Sequence, residues 1–458
     1  MPELTTKLLG IVGLGAIAGL TLLLLSKLNF RWASILVGAM VFFSAIATAV
    51  DFYETPYITI IAPLSDNRSF LYMVCGLGLA AMALINGDKV SLRDVTPTAW
   101  FCFFLSIWGA LIQTAHDGLQ QGLQSLAFAA ATLVPLSIAV GGLIKKWGDW
   151  FVPLRCIAFA TAIWTALTAY QFFVDRRMVM LGNENRFIGL SANPQHTAAF
   201  LACAGNVVLY LALTESVKLF RLLWIAQMGA IAIMLFWTGS RTGLGMMAVG
   251  ASVILYARIG RVILVMPFVA IAAYVLFKFL SQDLADVNTD RLTSSNDTRT
   301  AMWKVLVDQY VENPMIGIGT GRSEASENGY LLGAATYGSG FVIIQFIATF
   351  CVAAQAISLW RVRTYLVPKD RALVDLILAT FLSFFAGSRF EGYFAARIAA
   401  SVVVLAMLSV VGGRVTRLIR EAAEQEQAAA EWYAANPAFE QAADYPPEQT
   451  GLQVGHQS

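Results

Sequence analysis

Apolar runs of roughly 17–24 residues recur near 8–26, 33–50, 69–86, 98–114, 121–144, 151–174, 196–214, 221–237, 243–257, 262–280, 340–360, 371–387 and 393–411, each near the length a helix needs to cross a hydrocarbon core. None shows the period-two alternation of barrel strands. Backbone amides in lipid must be paired within their own segment, so each run predicts a helix. The fold class that follows is an all-α polytopic membrane protein with about 12–13 transmembrane helices and one large outer loop, 281–339, containing short helical structure. Within that loop "NDTRTAMWKVLVDQYVENP" places Trp303, Val305, Leu306 and Tyr310 at helical spacing. The spacing predicts a helix capped by Ser295 or Asn296 and ended by Asn313-Pro314. The cluster "GIGTGR", with Gly317, Gly319 and Gly321, predicts a tight turn, after which "SEASENGYL" leads into the span at 340.

Composition agrees with the pattern: 58% of the 458 residues are hydrophobic and 13% charged, an apolar fraction about ten points above an ordinary soluble domain. The net charge of +2 says little about partners, and no nucleic-acid partner is expected. Its distribution is more informative. Connections carrying Lys27 and Arg31, Lys89 and Arg93, Lys145 and Lys146, Lys218 and Arg221, Arg258 and Arg261, and Arg361, Arg363, Lys369 and Arg371 alternate with connections poorer in basic residues. The positive-inside rule puts the basic set in the cytoplasm, together with the tail that opens with Arg414, Arg417 and Arg420. Segment 281–339 and the loops 51–67, 175–195 and 388–392 then face outward. Thirteen spans put "MPELTTK" outside; twelve, if 8–26 or 243–257 does not cross, put it inside. The first run is too long, and too weakly basic at its flank, for a cleaved signal peptide.

The chain divides into a membrane domain, 1–420, and a cytoplasmic tail, 421–458, which begins with good helix formers and becomes polar, proline-containing and partly disordered. Five cysteines in or beside apolar runs, without CxxC spacing, indicate core packing. With three histidines in all, neither a metal site nor a cofactor is expected. No internal duplication is visible, which weighs against transporter folds built from repeats.

Four outward-facing features could carry chemistry. In "WTGSRTGLG" Arg241 stands between two apolar runs, before a helix that could begin near Thr242. An arginine there either snorkels to the interface or, beside a helix N-terminus, holds a phosphate. Arg299 lies in the first turn of the loop helix, where the helix dipole disfavours a cation, so it is either solvated or paired with an anion, Asp297 or a ligand. Glu327, in "RSEASENGYL", sits where the loop re-enters the membrane, and partial desolvation there lifts a carboxyl toward the range of a useful base; Glu324 is the weaker candidate. Finally, "NRFIGLSANPQHTAAF" offers Arg186, Asn193 and His196, and "GSRFEGYF" offers Arg389 and Glu391. His196 is either a base or a residue at the start of a span. Several arginines on one side of a bundle favour a ligand with many phosphate oxygens, such as a lipid pyrophosphate.

The order of these motifs resembles the O-antigen ligase and Wzy-type polymerase superfamily of bacterial membrane glycosyltransferases. The resemblance is carried by "GSRTG" at 239–243, "RTAMWKVLVDQYVENPMIGIGTG" at 299–321 and "ENGYLLGAATYG" at 327–338, with "RFIGLSANPQHTA" as a weaker element. It implies metal-independent transfer of a glycan from an undecaprenyl-pyrophosphate carrier at the periplasmic face of the inner membrane. Arg241 and Arg299 match the family's two functional arginines, which engage the donor pyrophosphate. Where ligases carry His-Asn, this chain has Glu327-Asn328. A carboxylate can abstract the same proton, and the exchange favours a polymerase of O-antigen or exopolysaccharide repeat units. Arg322, Asn328, Arg186 and Arg389 become candidate substrate contacts. Membrane lipids and a chain-length regulator are the expected partners. The alternatives are an O-antigen ligase acting on lipid A core, an O-oligosaccharyltransferase, and, from another class, a lipid-linked sugar flippase. Broken helices and pseudo-symmetric halves would favour the flippase; a long outer loop with its own helix favours the enzyme.

Overall fold

The computed structural model describes residues 30–46, 61–86, 96–145, 148–181, 186–191, 193–260, 299–323, 328–391 and 399–435. In chain order the α-helices are α1 (Phe30–Ala45), α2 (Ile61–Asp66), α3 (Arg68–Asn86), α4 (Pro97–Asp117), α5 (Leu119–Ala131), α6 (Leu133–Leu143), α7 (Phe151–Val174), α8 (Pro194–Thr214), α9 (Lys218–Trp237), α10 (Arg241–Ile259), α11 (Arg299–Glu312), α12 (Gly329–Val362), α13 (Pro368–Ser388) and α14 (Ala400–Ala435). Among the described residues nine segments are long and apolar enough to cross a membrane, and α1 and α10 are shorter apolar helices. The only strands described are the two-residue pair β1 (Met180–Leu181) and β2 (Arg186–Phe187). The protein is therefore an all-α, multi-pass membrane protein. Two predicted spans, 8–26 and 262–280, lie outside the described residues, as do 281–298 of the loop and 436–458 of the tail. α14 continues without a break past residue 421.

Local chemistry sets the helix ends. Proline occupies the first turn of α4, α8 and α13, where its missing N–H costs no intrahelical bond. The single run 121–144 becomes two helices because the Pro135 ring cannot accept the Ala131 carbonyl behind it; the chain turns at Thr132 (φ −123°, ψ −78°), whose hydroxyl donates to the Phe128 carbonyl at 2.7 Å.

α8 is the centre of the bundle, with α7, α9, α10, α13 and α14 packed around it. In its apolar window 83% of residues are buried, against 33% for α9, so α9 is an outer helix with a lipid-facing surface. Between helices in lipid, packing and polar contacts replace the hydrophobic driving force. Asn206 on α8 donates to Ser383 on α13 (3.2 Å), Gln227 on α9 to the Ala158 carbonyl on α7 (2.9 Å), and Gln355 on α12 to the Ser409 carbonyl on α14 (3.0 Å).

Ionic contacts gather the basic connections on one end of the bundle. Arg155 pairs with buried Glu215 (2.8 Å), Arg363 with Asp375 (2.6 Å), and Arg414 donates to the Ile144 carbonyl (2.8 Å). Burial pushes the Glu215 carboxyl up, but the Arg155 guanidinium and the Val217 N–H outweigh it and hold the group below its ordinary range. Arg186, Arg241, Arg299, Arg322 and Arg389 lie at the opposite end, where α7, α9 and α13 finish and α8 and α10 begin.

The span expected to begin at 340 starts eleven residues earlier, at Gly329, because α12 is two helices joined at Gly338 (φ 70°, ψ −161°). The break leaves carbonyls without their intrahelical donors, and each finds another. Ser339 N–H turns to the Pro314 carbonyl (2.7 Å); Ala335, Thr336 and Tyr337 then accept from Ile318 N–H (2.8 Å), Gly319 N–H (3.1 Å) and Trp108 Nε1–H (2.8 Å). The Gly-x-Gly turn is thus a backbone dock for the broken helix. A Cβ at Gly317 (φ 63°) would run into Thr336, and one at Gly338 into the Met315 carbonyl. Gly338→Ala is accordingly expected to cost on the order of 3 kcal/mol, read as a lower midpoint in thermal unfolding of the detergent-solubilised protein. Gly229→Ala is the control: its Cβ would meet nothing within 4 Å, and alanine is the better helix former.

Candidate active site

The reversal "TGSR" between α9 and α10 is built from its own hydroxyls. Thr238 donates to the Leu235 carbonyl (2.6 Å) and accepts from Ser240 N–H (3.2 Å); the Ser240 hydroxyl in turn accepts from Gly243 N–H (3.1 Å) as the N-cap of α10. The helix therefore begins one residue before Thr242, with Arg241 exposed at its first position. Arg186, only 4% exposed, donates through Nε to the Thr238 carbonyl (2.9 Å). It braces the turn that presents Arg241 and does not line the cleft below it.

Arg299 is the first described residue of α11. Its Nη2 donates to the Thr242 hydroxyl (3.1 Å) and to Glu391 Oε1 (3.3 Å), while Thr242 donates to the same oxygen (3.0 Å). The guanidinium lies over the Phe390 ring at 5.3 Å, and Glu391 is 4% exposed. The anion facing Arg299 thus comes from the far end of α13, 92 residues away. Asp297, the sequence-local alternative, lies outside the described residues.

These contacts bring Arg241 and Arg299 to the wall of one cleft of about 560 Å³, lined also by Thr242, Gly245, Met246, Val249, Trp303 and Phe390. Helical spacing explains the lining: 241, 245 and 249 share one stripe of α10, and 299 and 303 share one of α11. Two cations stand at the upper end of α10, and Gly245, Met246 and Val249 form an apolar lane running down from them. Arg241 occupies the first position of α10, so the positive end of that helix dipole reinforces it. Buried Glu391 offsets part of this charge. The arrangement suits an anion attached to a hydrocarbon chain.

The remaining candidates lie elsewhere or serve the fold. Arg322 pairs with Asp117 (2.7 Å) and the His116 carbonyl (3.3 Å) at the end of α4, fastening the glycine turn. Asn328, buried at φ 69°, is the N-cap of α12, its side-chain oxygen accepting from Tyr330 N–H (3.0 Å) and Leu331 N–H (3.1 Å). Both of its local roles, capping and a positive φ that asparagine tolerates, are structural. Arg389 is exposed just after α13, outside the cleft lining. His196 lies in the first turn of α8, where Asn193 is the cap. Glu324 and Glu327 lie outside the described residues. The Thr242–Glu391 contact is the part of the site that sequence reasoning misses: topology puts Glu391 at the right end of the bundle, but no spacing rule pairs it with Arg299.

No curated protein matches the chain. Residues 226–341, which hold both cleft arginines, the Gly-x-Gly dock and the Asn328 cap, match the family model described as O-Antigen ligase, Wzy_C. That match makes residues 226–341 similar to the O-antigen ligase/Wzy superfamily of membrane proteins that act on lipid-linked glycans.

Proposed function

We propose that the protein is a polysaccharide polymerase of the bacterial inner membrane, transferring an undecaprenyl-pyrophosphate-linked glycan onto a lipid-linked repeat unit at the periplasmic face. The observation that carries this reading is the convergence of Arg241 and Arg299 above an apolar lane. A pyrophosphate fits the cationic end, and the first segment of a polyprenyl chain fits the lane. In the reaction the acceptor hydroxyl oxygen attacks the anomeric carbon, the carbon–oxygen bond to pyrophosphate breaks, and the leaving group departs with the electron pair. Arg241 and Arg299 stabilise that growing negative charge through fixed donors, the role an oxyanion hole plays in acyl transfer. Glu327, immediately before the Asn328 cap, is the proposed base that takes the hydroxyl proton. The charge is met by guanidinium groups, so the step is written without a metal.

The break in α12 does not favour a flippase, because the carbonyls it releases are taken by Ile318, Gly319 and Trp108 and are not offered to a transported ion or sugar. A ligase is the second reading, favoured by the family description itself. Purified protein in liposomes, given lipid-linked repeat units alone, is expected to lengthen them into a ladder visible by gel electrophoresis. Transfer only when lipid A core is supplied would replace the polymerase reading with the ligase one, and no transfer with either acceptor would remove the enzymatic reading.

A further inference from the structure

We infer that Glu391 is a positioning residue for Arg299, acting through Thr242 to hold the guanidinium at the cleft wall; this rests on the donor-site reading above. Four observations carry it. The Glu391 carboxylate is 4% exposed yet lies at the end of the bundle that carries the cleft. Its Oε1 receives both the Thr242 hydroxyl (3.0 Å) and Arg299 Nη2 (3.3 Å), and Nη2 also reaches Thr242 (3.1 Å), closing a three-membered ring of contacts among α10, α11 and the segment after α13. The neighbouring Phe390 ring lies 5.3 Å from the same guanidinium, so two consecutive residues hold it, one by charge and one by its π face. The contact also differs from the ion pairs at the other end of the bundle. Arg155–Glu215 and Arg363–Asp375 each use two nitrogens and two carboxylate oxygens. Glu391 instead meets Arg299 end-on, through Nη2 alone.

That geometry has a functional consequence. The grip at Nη2 fixes the direction of the guanidinium at the cleft wall. Glu391 supplies Arg299 with an anion from within the protein. Thr242 links the grip to the first turn of α10, the same turn that carries Arg241, so one ring sets the relative placement of both cations.

The test measures binding of farnesyl pyrophosphate to the detergent-solubilised full chain, with turnover on lipid-linked repeat units alongside. Glu391→Ala is expected to weaken farnesyl pyrophosphate binding about tenfold or more, the scale of a lost charge-assisted hydrogen bond. Glu391→Gln, which keeps an oxygen for Thr242 and Arg299, is expected to lose less, and Thr242→Val to shift binding in the same direction. The distinguishing readout is the double mutant: in an Arg299→Ala background, Glu391→Ala is expected to produce little additional loss, because its effect passes through Arg299. Undiminished binding in Glu391→Ala, or a full additive loss in the double mutant, would overturn the positioning role. If Arg299→Ala alone binds farnesyl pyrophosphate as the wild type does, the donor-site reading fails first. Should Glu391→Ala not fold, the Glu391→Gln and Thr242→Val pair decides the question by the same comparison.

Discussion

Arg299→Ala is expected to lower glycan transfer about 10²–10³-fold, the scale observed when a fixed donor to a developing anion is removed, and Arg241→Ala is expected to do the same. The two should differ in what accompanies the loss. Arg241 is exposed at the start of α10, and Thr238, Ser240 and Arg186 hold the turn that presents it, so Arg241→Ala should keep that turn. Arg299 pairs with buried Glu391, so Arg299→Ala breaks that ion pair and should lower thermal stability as well. Arg299→Lys separates charge from geometry. A lysine keeps the positive charge but presents one compact ammonium in place of the planar fork, so it cannot reach Thr242, Glu391 and a phosphate oxygen from fixed directions. It should restore stability more than turnover. The measurement is the rate of lipid-linked glycan extension in liposomes, alongside thermal unfolding of each variant. Normal polymer yield from both alanine variants would remove the donor site.

Much of this architecture is legible in the sequence because lipid imposes so simple a rule. A helix is the cheapest way to pair backbone groups in hydrocarbon, so run length and loop charge place the described helices and assign Arg241 and Arg299 to the same end of the bundle. What the pattern cannot supply is any property set by tertiary contact. The apolar run starts the span at 340, and only the exchange of carbonyl partners with 318, 319 and Trp108 reveals a helix that begins at Gly329 and breaks at Gly338. Asn328 looks like a substrate contact because it stands beside a candidate base; its positive φ and two accepted N–H bonds make it a cap. Arg186 reads as one more outer cation, and burial against the Thr238 carbonyl turns it into a brace. The pairing of Arg299 with Glu391 spans 92 residues and three elements, a distance over which no local spacing rule operates.

Gly245→Leu is expected to abolish most transfer while leaving the protein at least as stable as the wild type. Gly245 lies one turn below Arg241 on the cleft-facing stripe of α10, and a Cβ built there meets no atom within 4 Å. The open space beside it is the cleft itself. A leucine would therefore enter the lane without disturbing a packed neighbour, and would exchange the poorest non-proline helix former for one of the best, worth about 0.5–1 kcal/mol to α10. Most inactivating substitutions in a membrane bundle also damage the fold; this one should separate the two. If a lipid chain lies along Gly245, Met246 and Val249, the leucine displaces it and shifts the pyrophosphate relative to Arg241 and Arg299. Misplacement of a reacting group by about 1 Å can cost on the order of 10²-fold in rate. Gly245→Ala, which adds a single methyl group, should fall between wild type and leucine. A stable Gly245→Leu protein that extends lipid-linked glycan at the wild-type rate would show that the lane is not where the carrier lies, and the cationic pair would then have to act on a ligand approaching from the aqueous side alone.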